Sequence, residues 1–156
     1  KLEEGRVTVK VEELSLWRLC EDIMGDLRAI YPTINLSLTG EELAIRSDGK
    51  LLKHVLTNII QNACKYGKPD GRVEVEVKNI NSHVEVVVRD NGIGIPPEDQ
   101  PNLFDRFYRA SNAENIKGTG LGLNIVKKHL DLLGGEIDFT SEINEGTEFR
   151  ISLPKE

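Results

Sequence analysis

The sequence predicts an α/β domain in which a mixed β-sheet carries its helices on one face. The chain has 156 residues, 38% of them hydrophobic, which is enough for one domain with a buried core. Strand-like and helix-like patterns of apolar residues alternate along it, with no repeat, low-complexity tract or internal linker between them. We expect this domain to span residues 6–156. The polar residues 1–5 begin without Met, and we expect them to be the end of a linker from an upstream domain.

Each predicted element follows from the period of its apolar residues: two for a strand, three to four for a helix. In chain order, the elements are a strand at 6–11, a helix at 16–30, strands at 34–38 and 43–45, a helix from 48 to about 66, strands at 72–78 and 83–90, a helix from about 119 to 133, and strands at 136–140 and 147–153. Ser15 and Asp48 are expected N-caps, because their side chains can accept hydrogen bonds from free helical N–H groups. Pro32 is expected to stop the first helix, and the glycines 134 and 135 to close the third.

The second helix places a row of polar side chains beside its apolar stripe. His54, Asn58, Asn62 and Lys65 are four, four and three residues apart, so at about 100° per residue they lie along one margin. The amide oxygen of Asn62 suits Mg²⁺, which is held by few protein ligands and keeps its waters and nucleotide phosphates. Lys65 could then bind a phosphate. Considered alone, the two asparagines would more often be a solvated helix face.

Asp90 ends an alternating strand in which Val84, Val86 and Val88 share one face and Val87 adds to the apolar character, so its carboxylate is expected to lie against the core. An unpaired buried charge is costly, so this carboxylate needs a partner. The exocyclic amine of adenine can donate to it, whereas guanine presents a carbonyl at the same place. Gly92 and Gly94 allow the backbone to pass close to a base and to adopt positive φ. The alternative for this segment is an ordinary Asp-Asn-Gly turn.

A third cluster of glycines, Gly118, Gly120 and Gly122, precedes the third helix. Its spacing does not match the dinucleotide fingerprint, and the chain has no Walker-type Gly-Lys-Thr run, which excludes Rossmann and P-loop sites. A flexible loop entering a helix N-terminus remains, and free N–H groups there favour phosphates.

The segment from Asn91 to about Lys117 is long and rich in Gly, Pro and Asn. Such stretches inside compact domains are commonly functional lids or disordered insertions. We expect residues 96–117 to form a lid whose order depends on a terminal phosphate. Residues 104–109, with the sequence Phe-Asp-Arg-Phe-Tyr-Arg, combine aromatic anchors with two cations that can approach that phosphate.

Three motifs together carry a family resemblance: residues 58–66 (NIIQNACKY), 90–95 (DNGIGI) and 118–123 (GTGLGL). In this order they closely resemble the catalytic, ATP-binding domain of sensor histidine kinases, a Bergerat-fold ATPase domain, over about residues 6–154. The resemblance implies an α+β two-layer sandwich. Its mixed sheet would have about five strands, with three main helices on one face and a long ATP lid.

The resemblance also implies roles for individual residues. The implied nucleotide contacts are Asn58, Asn62, Lys65, Tyr66, Asp90, Gly92, Gly94, Ile95, Phe107, Gly118, Thr119, Gly120, Leu121 and Gly122. Asn62 would hold Mg²⁺ with support from Asn58, which is also a catalytic candidate. In the segment that resembles the family's phenylalanine box, Arg109 is the first candidate to reach the γ-phosphate, and Arg106 is the second.

The expected function is to present the γ-phosphate of Mg-ATP to a histidine on a separate dimerisation domain, with a response regulator downstream. His54, His83 and His129 have no adjacent acidic residue, unlike the family's acceptor histidine, and are expected to be structural or solvent-facing. Two alternatives stay open: a serine kinase of the anti-sigma-factor type, and a nucleotide-sensing module without transfer activity. A gyrase-like hydrolase is weaker, because such enzymes carry a glutamate base where this chain has Asn58.

Composition limits the partners and the compartment. A net charge of −6 and a pI near 5.2 argue against a nucleic-acid partner. No stretch approaches the roughly 18 apolar residues that cross a bilayer. The two cysteines lack metal-like spacing and are expected to be free thiols in a reducing compartment. We therefore expect a monomeric, cytoplasmic domain, and a membrane anchor elsewhere in the parent protein stays open.

Overall fold

A computed structural model describes residues 8–104 and 122–155. The elements, in chain order, are β1 (Glu12–Ser15), α1 (Leu16–Ile30), β2 (Asn35–Gly40), β3 (Ala44–Ser47), α2 (Gly49–Lys65), β4 (Arg72–Ile80), β5 (His83–Asp90), a short 3₁₀ turn (Gln100–Asn102), α3 (Gly122–Leu133), β6 (Glu136–Glu142) and β7 (Gly146–Pro154). Within the described residues, no helix combines the length and the hydropathy that crossing a membrane requires.

The main sheet has five strands in the order β2-β4-β5-β7-β6. β2 runs parallel to β4, and the other pairs are antiparallel, so the sheet is mixed as predicted. Its register places Asp90, at the end of β5, directly opposite Thr147 at the start of β7. β1 and β3 form a separate two-stranded antiparallel sheet.

The helices α1, α2 and α3 cover one face of the main sheet, which confirms the predicted two-layer sandwich. Inward-facing residues of β4, β5 and β7 are buried and pack against buried positions of α1, α2 and α3 in one core. The opposite face of the sheet is polar. Across it, Arg89 pairs with Glu76 and Glu148 at 3.1 and 2.9 Å, and Arg150 pairs with Asp138 at 2.7 Å.

The predicted helix caps are confirmed. The hydroxyl of Ser15 accepts from the N–H of Arg18 at 3.2 Å, and Asp48 accepts from the N–H groups of Lys50 and Leu51. α1 ends at Ile30, two residues before Pro32.

The prediction of a first strand at residues 6–11 is wrong for residues 8–11, the part of it that the structure describes. Residues 8–11 are in no strand, and β1 begins at Glu12. The alternating pattern is present, but the N–H of Lys10 donates to Asp48 Oδ2 at 2.8 Å instead of joining a strand ladder. Elsewhere the strand and helix limits that can be compared agree with the predictions to within two residues. Residues 105–117 of the proposed lid lie outside the described part, as does the predicted start of the third helix at about residue 119.

Candidate functional site

One side of the site is the margin of α2. Asn58, Asn62 and Lys65 are half-buried beside a stripe of buried residues, as their spacing predicts. Asn58 Nδ2 donates to the carbonyl oxygen of His54 at 3.1 Å, which commits the amide nitrogen to its own helix. The Asn58 oxygen is therefore the amide atom suited to a cation or to another donor.

The end of α2 is fastened to the loop that follows β5. The N–H of Tyr66 donates to Asn62 O at 3.0 Å, and Tyr66 O accepts from the N–H of Ile93 at 3.1 Å. Lys65 Nζ lies 5.8 Å from the centroid of the Tyr66 ring. These contacts bring the polar row of α2 next to residues 90–95.

Two glycines make this close approach possible. A Cβ on Gly92 would collide with the carbonyl oxygen of Tyr66, and a Cβ on Gly94 would collide with that of Glu142. Gly94 also has a φ of +73°, which disfavours residues with a side chain. The loop therefore fits between the end of α2 and the β6–β7 turn only with glycine at both positions.

Asp90 is the ionisable group at the centre of the site. Its Oδ1 accepts from the N–H of Gly92 at 2.8 Å, and the N–H of Thr147 lies near enough to favour the charged carboxylate as well. Burial raises the pKa of Asp90 to about 6, while the two backbone donors act in the opposite direction. At neutral pH it is thus a mostly ionised, poorly hydrated acceptor. The Cys64 thiol lies near enough for the Asp90 charge to add to burial in raising the thiol pKa to about 11.

Two residues of the site were missed by the sequence analysis: Thr147 and Ser141. Thr147 is buried and Ser141 is half-buried, and they face each other across β6 and β7. Their hydroxyl oxygens are 2.8 Å apart. One sequence signal could have identified Thr147: it is a polar residue at a core-facing position. Thr147, Phe149 and Ile151 are two residues apart in turn, so they point to the same face of the strand, and that face is the inner one.

Other predicted positions are only partly described. Gly122 is the first described residue of α3. Arg106, Phe107, Arg109, Gly118, Thr119, Gly120 and Leu121 lie outside the described residues. Ile95 is described: its N–H donates to Ser141 Oγ at 2.8 Å.

Two of the three histidines form a pair between α2 and α3. His54 Nδ1 and His129 Nδ1 are 3.1 Å apart, and the rings meet edge to face. His129 is buried, and burial followed by the neighbouring His54 lowers its pKa. The pair therefore joins the two helices that border the site.

Magnesium fits the donor set of α2. The described residues contain no group of three His, Cys, Asp or Glu side chains arranged for a metal, but Asn62 and Asn58 offer neutral amide oxygens. Mg²⁺ is compatible with one or two protein oxygens when phosphates and waters complete its shell.

Comparison with known proteins agrees with the fold and the motifs. Residues 47–156 match the family described as histidine kinase-, DNA gyrase B- and HSP90-like ATPase. The sensor protein kinase PmrB of Pseudomonas aeruginosa is 34% identical over 158 residues, covering 99% of this chain and 33% of PmrB. The sensor histidine kinase YkoH of Bacillus subtilis is 37% identical over 142 residues, covering 89% of this chain and 31% of YkoH. The chain thus spans about a third of the length of these relatives.

Solved structures extend the comparison. The mycobacterial sensor histidine kinase MprB superposes with a TM-score of 0.85 at 30% identity, covering 92% of this chain and 97% of that one. The catalytic domain of the histidine kinase ThkA gives 0.83 at 27% identity, covering 94% and 96%. These findings confirm the resemblance and the Bergerat fold. With its ATPase domain of the histidine kinase type, the chain belongs to the histidine kinase-, DNA gyrase B- and HSP90-like ATPase family.

Proposed function

We propose that this domain binds Mg-ATP between α2, the loop after β5 and the start of α3, and presents the γ-phosphate to a histidine on a separate dimerisation domain. The observation that carries the proposal is Asp90. Its carboxylate is half-buried and accepts from the N–H of Gly92, and within residues 8–104 and 122–155 no Lys or Arg pairs with it. A base that donates an amine supplies the missing partner, and adenine does so.

The other roles follow from position along the site. Asn62, supported by Asn58, is suited to hold the metal, and Lys65 is suited to a phosphate oxygen. The N-terminus of α3, which begins at Gly122, can receive phosphates on its free N–H groups. Bound Mg²⁺ would neutralise charge on the phosphates. Arg109, and Arg106 as second choice, stay predictions for stabilising charge on the γ-phosphate.

The transfer itself needs an acceptor outside the described site. A neutral imidazole nitrogen would attack the γ-phosphorus in line, a nitrogen–phosphorus bond would form, and the bond to the bridging oxygen would break to release ADP. The relatives' names, sensor protein kinase and sensor histidine kinase, support this direction of transfer. The dimerisation domain and a response regulator as further partners stay predictions, as does a cytoplasmic location.

The test is Asp90→Ala, with Asp26→Ala on the exposed side of α1 as the matched control. Removing a charged acceptor costs about 1.5–3 kcal/mol, which is roughly tenfold to over a hundredfold in affinity. Calorimetric titration with ATP and GTP should show tight, adenine-selective binding for the native protein and for the control, and weak binding for Asp90→Ala. Circular dichroism checks that the variant is folded. Equal ATP affinity in a folded Asp90→Ala protein, or GTP binding as tight as ATP binding in the native protein, would overturn the proposal.

A further inference from the structure

The start of β7 and the end of β6 place three polar side chains side by side on the helix-covered face of the sheet. Asp90 is opposite Thr147, and Thr147 is opposite Ser141. Because directly paired residues in a sheet point to the same face, the row runs across β5, β7 and β6. Only Asp90 has a role in the function proposed above, so the chemistry of the two hydroxyls is unassigned.

Ser141 makes three polar contacts through its hydroxyl group. Its Oγ accepts from the N–H of Ile95 at 2.8 Å, lies 3.0 Å from the carbonyl oxygen of Gly146, and lies 2.8 Å from Thr147 Oγ1. A hydroxyl has one proton and two lone pairs. Since a carbonyl can only accept, the Ser141 proton goes to Gly146, one lone pair takes the Ile95 N–H, and the other takes the Thr147 hydroxyl proton.

This assignment fixes the polarity of Thr147. Its hydroxyl proton is committed to Ser141, so toward a ligand its side chain can only accept. The edge of the row that includes Asp90 therefore presents acceptors: a carboxylate and a hydroxyl lone pair. Such an edge favours a base that carries an amine and opposes one that carries a carbonyl at the same place.

Ser141 also holds the end of the loop of residues 90–95 in place, at Ile95. Ile95 is held on both sides, by Ser141 Oγ at its N–H and by Gln100 Nε2, which donates to its carbonyl oxygen at 3.0 Å. The same Gln100 amide lies 3.4 Å from the carbonyl oxygen of Ser141. The loop of residues 90–95 is thus tied at its end to the strand that orients Thr147.

We propose that Ser141 is a positioning residue for base selection: it commits the Thr147 hydroxyl as an acceptor beside Asp90 and anchors the loop at Ile95. This inference rests on the proposed binding of adenine at Asp90. Ser141 itself does not touch the base in this proposal.

The experiment compares the affinities of ATP and inosine triphosphate, which has a carbonyl in place of the adenine amine. In Ser141→Ala, the Thr147 hydroxyl is released and can rotate to donate. ATP affinity should then fall roughly three- to tenfold, while inosine triphosphate affinity is unchanged or rises, so the ratio between them shrinks. Ser141→Thr, which keeps the hydroxyl, should restore the native ratio. Ser152→Ala, on β7 away from this row, is the matched control.

A purely structural role predicts a different result. Loss of packing alone would weaken both nucleotides equally and leave the ratio native, and that outcome would overturn the inference. If Ser141→Ala does not fold, Ser141→Cys replaces it, because cysteine is nearly the same size as serine and forms weaker hydrogen bonds. The ratio of ATP affinity to inosine triphosphate affinity should fall in this variant too. A second check is Thr147→Val: if Ser141 acts through Thr147, Ser141→Ala should change the ratio little in that background.

The measurements distinguish an error in the proposed adenine site at Asp90 from an error in the proposed role of Ser141. If Asp90→Ala removes adenine selectivity but both Ser141→Ala and Ser141→Cys keep the native ratio, only the inference about Ser141 is wrong. If a folded Asp90→Ala protein keeps native ATP affinity, the proposed adenine site itself is wrong.

Discussion

At the scale of single residues, the candidate site combines the half-buried charge of Asp90 with neutral amides. Asp90 is mostly ionised at neutral pH, because its pKa of about 6 lies below 7. Asn58 and Asn62 carry no charge, so they add no repulsion where triphosphate oxygens gather. A cation shared with those phosphates can then accept an amide oxygen as one of several ligands.

The change Asn62→Ala tests this assignment. If the Asn62 oxygen binds Mg²⁺, the variant should lose most of the gain in ATP affinity that added Mg²⁺ produces, yet bind adenosine as the native protein does. Calorimetric titrations of both ligands, with and without Mg²⁺, measure the effect.

The matched control for this prediction is Gln61→Ala, the preceding half-buried amide on α2. It should retain the native dependence on Mg²⁺. An unchanged dependence in Asn62→Ala would show that other atoms bind the metal.

Residue positions on one helix could be predicted from the sequence, whereas those that depend on strand register could not. The row of Asn58, Asn62 and Lys65 follows from helix geometry alone, and the structure places it as expected. The contact between Ser141 and Ile95 joins residues 46 positions apart and depends on a particular register and on a turn at positive φ. No local pattern encodes that pairing.

At the scale of elements, the ends of α2 determine where the site is built. Asp48 begins the helix, and its C-terminal cap, Tyr66, receives the loop after β5. The caps could be predicted because capping is local chemistry, with donor and acceptor two or three residues apart. The first strand could not be placed correctly, because the same carboxylate of Asp48 also accepts from the distant Lys10 N–H.

Asp48→Ala should therefore destabilise the domain more than loss of an ordinary cap. Three backbone N–H groups lose their acceptor, those of Lys10, Lys50 and Leu51, and we expect a loss of about 1–2 kcal/mol in the free energy of unfolding. Urea unfolding at pH 7 measures it. Ser15→Ala, which removes a single exposed bond at 3.2 Å, is the matched control and should cost less.

The sign of the pH dependence gives a second check on Asp48. Burial opposes its ionisation, but the three backbone donors outweigh burial and lower its pKa. A group with a lowered pKa stabilises the fold above its ordinary pKa and loses that contribution as the pH falls through the folded value. The difference between native protein and Asp48→Ala should thus shrink below about pH 4. An equal cost at every pH would contradict the cap assignment.

At the scale of the whole molecule, the sandwich keeps its two sheet faces chemically separate. The inner face is mainly apolar, and Asp90, Thr147 and Ser141 interrupt it at the strand ends beside the site. The outer face carries ion pairs, which contribute little when exposed. These three polar side chains therefore lie where a ligand could compensate for their cost.

The last prediction measures that cost through Asp90→Asn in the nucleotide-free protein. The pKa of Asp90 is raised from 3.8 to about 6, so the folded state holds the proton more tightly than the unfolded state. The stability that comes from binding this proton is fully present below pH 3.8 and is lost as the pH rises through 6.

The shift in the Asp90 pKa corresponds to at most about 3 kcal/mol of stability at neutral pH. Because asparagine carries no charge but keeps an oxygen that can accept from the Gly92 N–H, we expect a net gain of about 1–2 kcal/mol, part of this shift. Urea unfolding at pH 7.5 should show the variant more stable than the native protein, with the difference shrinking at pH 5. Asp26→Asn, exposed on α1, should show neither effect. A variant less stable than the native protein at pH 7.5 would mean that the neighbouring N–H groups already compensate the half-buried charge without any ligand.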